Sequence, residues 1–282
     1  KASSQTENSE QLKVKVQQSV EKVKQYYLNN PPDHSDKGSN TRTSSHSDFW
    51  VYSALWASGF TDLKNDFKWK SEDSSPWAAH TYWTKGIQYN HPNQYGPGLT
   101  HKERPGAIIG GILLGKNPYS FGNEGRNLVQ DLTDIQKENG SFSDIFGEPW
   151  VMIALDLVDE TNYDREGHFK HVLSLQNEKG SFGGADSTGW MLTALAPYMH
   201  ERNEVKEAIE KAVEWAHVTF LENDEFPGMG GANSNSTAGI IMGLAAVGED
   251  LYSDKWLKDG HSLLDQLLEY QQEDGSFWWK KT

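Results

Sequence analysis

The chain has 282 residues with 26 basic and 40 acidic side chains, a formal charge of −14, and no cysteine. That balance argues against sequence-independent binding to nucleic acid or insertion at an anionic membrane surface, since both need a basic face. The missing thiols exclude disulfides, zinc–thiolate centres, thiol nucleophiles and thioesters.

The opening run Lys-Ala-Ser-Ser-Gln-Thr-Glu-Asn-Ser-Glu has no apolar core. Residues 1–8 are therefore expected to be a disordered spacer, any leader having been removed, with one domain over 9–282. No stretch approaches the ~18 apolar residues of a membrane span. Such a chain suits a secreted or cell-surface protein of a Gram-positive bacterium, with the bacterial cytoplasm as the alternative.

Onward from the spacer the pattern is helical throughout. Outer helices, apolar on one stripe, are expected near 9–29, 79–90, 122–137, 164–177, 203–221 and 255–271. Val205, Ile209, Ala212 and Ala216 trace one such stripe. Inner helices are expected near 47–59, 104–115, 147–158, 186–199 and 235–248. Segments 150–157, 190–196 and 238–247 are apolar almost all round, which predicts burial all round. Asp186, Ser187, Ser236 and Thr237 stand where inner-helix N-caps belong. Loops rich in Pro, Gly, Asn, Ser and His fill 30–46, 61–78 and 91–103, and no strand is expected.

A repeat punctuates this alternation. Gln-x-x-x-Gly-Ser-Phe occurs at 136–142, 176–182 and 271–277, and Phe226-Pro227-Gly228 fits a degenerate copy between the last two. Gly140 and Gly180 are 40 residues apart, and Gly275 follows 95 later, close to two further periods. Each unit pairs a half-exposed outer helix with an enclosed inner one. Without evident capping repeats, the expected architecture is all-α, a closed α/α toroid of about six hairpins. The sixth inner helix has no sequence after Ser276, so another segment is expected to complete the ring.

The turn signature resembles that of the terpenoid-cyclase and protein-prenyltransferase toroid superfamily. Three stretches are similar to secreted Firmicutes toroid proteins: Asp186-Ser187-Thr188 through Leu195-Ala196-Pro197-Tyr198, Asn233-Ser234-Asn235-Ser236-Thr237-Ala238, and the segment 108–122. Those proteins resemble the helical domain of intrinsic factor and transcobalamin, and usually carry a small β domain afterwards. The resemblance implies the fold, a possible role in holding a corrinoid, and no required cofactor.

The chemistries that this fold hosts narrow quickly. Zinc-dependent prenyl transfer and thioester chemistry lack their cysteine. Cyclase-type protonation needs an Asp-x-Asp-Asp cluster, whereas Asp131-Leu132-Thr133-Asp134 and Gly184-Ala185-Asp186-Ser187 do not supply it. Glycosidase chemistry would draw on a carboxylate pair from Asp48, Asp144, Glu148 and Asp186. A lyase would use Tyr95, His101 and Arg104. His34, His46, His80, His91 and His101 show no metal-ligand spacing and read as solvated loop residues.

Binding is the better reading. Inner-helix starts and the loops before them would form a concave mouth with converging helix dipoles. The expected ligand contacts are Asp48, Trp50, Trp77, Tyr82, Trp83, Tyr89, Tyr95, Glu148, Asp186, Asn233 and Asn235, for a small molecule or a surface glycan or protein. Phe49, Phe146, Trp278 and Trp279 belong to the same aromatic set, while Trp56, Trp150 and Trp190 are expected in the core.

Overall fold

Apolar residues three and four apart set the helices, and a computed structural model describes them over residues 2–30, 53–59, 103–113, 115, 117–120 and 127–281. Within these residues the chain is mostly helical, in line with the all-α expectation. The helices are α1 (Ala2–Asn29), α2 (Glu103–Leu113), α3 (Leu128–Thr133), α4 (Glu148–Leu157), α5 (Arg165–Ser174), α6 (Ala185–Leu195), α7 (Asn203–Glu222), α8 (Ser234–Ala246) and α9 (Leu263–Leu268). The expected outer helix at 79–90 and the first part of that at 122–137 lie outside the described residues.

Three local expectations are corrected. The backbone at 2–8 is already helical, as part of α1, because Ala2, Gln5, Glu7 and their neighbours form helix readily and no Pro or Gly interrupts them. The outer helix expected over 255–271 shrinks to α9. Before it stands a 3₁₀ turn, Asp254–Trp256, then an antiparallel hairpin of β1 (Leu257–Lys258) and β2 (His261–Ser262). Asp259 (φ 52°) and Gly260 (φ 81°) both take the left-handed conformation, which the Asp-Gly pair favours in a tight hairpin turn. Finally, the N-caps are Gly184 and Asn233 rather than Asp186, Ser187, Ser236 or Thr237. Asn233 accepts from the Ser236 N–H at 2.9 Å, while Ser187 reaches back from inside α6 to accept from the Gly184 N–H.

Two compact units are distinguished, residues 24–168 and residues 1–23 with 169–282, the division falling within α5. In the first unit α2 packs on α4, with Ile108, Leu132, Val151 and Leu155 fully buried. Trp150 joins this core, whereas Trp56 is 51% exposed, its neighbour Leu55 taking the buried side of the helical stretch at 53–57. In the second unit α6 and α8 lie against each other, each flanked by α7 or α9. Met191, Leu192, Ile240 and Leu244 have no exposed surface, as expected of enclosed helices.

The repeated turns share one construction. Gln136 Nε2 donates to the carbonyl of Gly140 (3.1 Å) and to that of Asp164 (2.8 Å). Gln176 does the same to Gly180 (2.8 Å) and Ala208 (2.7 Å). Gln271 does it to Gly275 (3.3 Å) and Ser19 (3.0 Å). Each glutamine thus closes its own turn and grips an outer segment in the same unit. The turn glycines have φ of 82°, 96° and 94°, and a Cβ on any of them would sit 2.2–2.4 Å from the backbone of Gly167, Lys211 or Lys22. Glycine is needed twice over, for conformation and for close approach.

Candidate functional site

Two clusters of polar and aromatic groups stand out. The first lies in the unit 24–168, where the turn at 136–142 leads into α4. Glu148, at the first position of α4, has no exposed surface. Its Oε1 accepts from the N–H groups of Phe142 (2.9 Å) and Ser143 (2.8 Å), and its Oε2 lies 2.8 Å from His168 Nε2 on α5. His168 is also buried, its ring edge-on to Phe142 at 4.8 Å and to Tyr163 at 6.1 Å. Burial alone would push the Glu148 carboxyl up. The His168 hydrogen bond and charge, with the two backbone N–H groups, outweigh it and hold the carboxyl below its usual range. Burial pushes the Tyr163 phenol up to about 12, so it stays neutral.

This knot holds the turn against α5; it faces no solvent. Glu148, expected as a ligand contact, is instead an internal fastener. The sequence held a usable signal for it: Glu148 stands six residues after Phe142, and Thr188, six after Phe182, accepts from the Phe182 N–H at 2.9 Å. His168 carried no comparable signal, because the 20 residues between it and Glu148 follow no ligand spacing.

The second cluster lies in the other unit, where α6 and α8 begin. Gly189 faces Gly239 and Gly243 so closely that a Cβ on Gly189 would lie 1.9 Å from the Gly239 carbonyl oxygen. One turn earlier, Ser236 Oγ donates to Asp186 Oδ2 at 2.8 Å. Residue numbers rise together along the contact, so the two helices run parallel and start at one edge. Asp186 and Trp190 are half-buried there, and a Cβ at Gly239 would lie 3.6 Å from Trp190 Nε1, which sets the indole along α8. Asn235 is exposed beside them, and Asn233 is buried as the α8 cap, its Nδ2 donating to the Gly231 carbonyl at 3.0 Å.

Of the expected contacts, then, Asp186, Asn233 and Asn235 come together at this edge. Asp48, Trp50, Trp77, Tyr82, Trp83, Tyr89 and Tyr95 lie outside the described residues, as do His34, His46, His80, His91 and His101. The described carboxylates named for acid–base work all hold structure: Asp144 accepts from the N–H groups of Phe146 and Gly147, Glu148 from its turn, and Asp186 from Ser236. Among the described residues no group of three His, Asp or Glu is placed to hold a metal ion, and no helix is long and apolar enough to cross a membrane. Compared with known proteins, the chain matches no family model and no curated relative.

Proposed function

We propose that the chain is an α/α toroid that binds a small ligand where its inner helices begin, without catalysing a reaction on it. The observation that carries this reading is the parallel, glycine-close pairing of α6 and α8. Parallel neighbours put two helix N-termini and the groups Asp186, Trp190 and Asn235 at one edge, where a polar ligand meets both N–H dipoles and an indole. The ring itself is supported by the three like turns, each gripping a further outer segment, the last of them gripping α1.

The ligand class follows from the resemblance to corrinoid carriers, with cobalamin as the probe and a secreted or cell-surface setting as the context. Titration with cobalamin and other tetrapyrroles should quench tryptophan emission at micromolar ligand, after correction for absorption with free tryptophan. Trp190→Phe should remove part of that signal. A flat titration with every tetrapyrrole sinks the corrinoid reading.

A further inference from the structure

Residues 278–281 follow the third glutamine turn and carry two adjacent indoles, Trp278 and Trp279, that remain 48% and 55% exposed. Their backbone is nonetheless tied at every step. The Trp278 N–H donates to the Tyr270 carbonyl (3.0 Å), and the Trp279 carbonyl accepts from the Ser234 N–H at the start of α8 (2.9 Å). Lys280 Nζ donates to the Gly230 carbonyl at 2.7 Å, and Lys281 grips Glu225 and Glu269. The loop so joined to the tail holds Met229, 71% exposed, and α8 adds exposed Asn235.

We propose that Trp278 and Trp279, with Asn235 and Met229 beside them, form a stacking platform for a neutral carbohydrate. The proposal does not depend on what the inner-helix edge binds. A pinned backbone has already lost the conformational freedom that binding would otherwise remove. Half-exposed indoles leave apolar faces in water, and among the described residues neither indole N–H has a hydrogen-bond partner. Each is a donor that accepts nothing, while Asn235 offers both a donor and an acceptor. A pyranose ring complements this set, with C–H faces to stack and hydroxyls at its rim.

Other occupants fit less well. A lipid surface would need a continuous apolar stripe or a basic face, but here Glu225 and Glu269 flank the tail of a chain with charge −14. Those carboxylates also disfavour acidic sugars. A protein partner would anchor in an enclosed pocket, and these indoles stand open.

The test is titration of the chain with neutral cello-, malto-, manno- and chito-oligosaccharides, followed by tryptophan emission and by calorimetry. Saturable binding of at least one series is expected. Trp278→Ala and Trp279→Ala should each weaken it by about tenfold. Trp278→Phe, which keeps a ring, should retain most of the affinity, and Trp190→Phe all of it; a variant that had merely unfolded would lose everything. No binding by any series at millimolar sugar overturns the platform, as does equal binding by both alanine variants. Binding confined to acidic polysaccharides or to lipid vesicles overturns it too. Quenching by a tetrapyrrole without any sugar response leaves the inner-helix reading standing and removes this one.

Discussion

Glu148 shows how one carboxylate can read as a ligand contact and serve as a fastener. It sits at a helix start among aromatics, where a binding group would be sought, yet both oxygens are taken up inside the protein. Its carboxyl titrates below the 4.5 of an unperturbed glutamate. A depressed folded pKa contributes stability that is complete above the unfolded value and lost as pH falls through the folded one. The stability of the wild type relative to Glu148→Gln should therefore be greatest above pH 4.5 and shrink below it, read from denaturant unfolding across pH. At neutral pH, Glu148→Gln should cost about 2–3 kcal/mol, since charge-assisted bonds become neutral ones. His168→Ala should cost about 3–5 kcal/mol by leaving a buried charge short of its partner. A pH-independent difference between wild type and Glu148→Gln would show that the pair is not ionised in the folded protein.

At the scale of elements, the glycines separate backbone need from packing need. Gly248, just past α8, has φ 86° and open space around the position of a Cβ, so Gly248→Ala should cost about 1 kcal/mol of left-handed strain. Gly189 has helical backbone, where alanine would ordinarily add about 1 kcal/mol of helix stability. Its Cβ would collide with the Gly239 carbonyl, so Gly189→Ala should instead destabilise by about 3 kcal/mol or more and lower the thermal midpoint visibly. A stabilising Gly189→Ala would mean that α6 and α8 stand further apart.

That pair of helices was partly legible in the residues. Apolar runs at 190–196 and 238–247 announced enclosed helices, and the Gln-x-x-x-Gly-Ser-Phe turns announced where they begin. Which glycines touch was not legible, because Gly189, Gly239 and Gly243 meet across 50 or more residues. The hairpin at 257–262 was missed for a different reason. Leu257, Leu264, Leu267 and Leu268 mimic a helical stripe, and the Asp259-Gly260 turn that breaks it is a purely local signal. The degenerate turn shows the same limit: Phe226 finds its acceptor in Gln266 Oε1, 40 residues on, where the other turns use a residue of the following inner helix. For the proposed edge, Asp186, Asn233 and Asn235 were found by their place in the repeat, whereas Trp278 and Trp279 became a distinct feature only once their backbone bonds to Ser234 and Tyr270 were known.

For the molecule as a whole, the informative contact joins segments 252 residues apart. Gln271 reaches the Ser19 carbonyl, and Gly275 approaches the Lys22 backbone, so the last turn treats α1 as the outer segment that follows it. Both lie in the unit of residues 1–23 with 169–282. An open row of repeats would leave such a turn with nothing to grip, and a cyclic order supplies its partner from the first helix. Local stability can test this directly, because amide exchange reports which segments open together. Gln271→Leu removes two carbonyl contacts at a half-buried position and should cost about 1–3 kcal/mol. The accompanying loss of exchange protection should be concentrated at the turn and along α1 near Ser19 and Lys22. Gln136→Leu makes the same chemical change in the unit 24–168, where its partners are Gly140 and Asp164, and should leave α1 protection as it was. If α1 exchanges equally fast in both variants and the wild type, the last turn does not hold the first helix, and the cyclic order loses its physical basis.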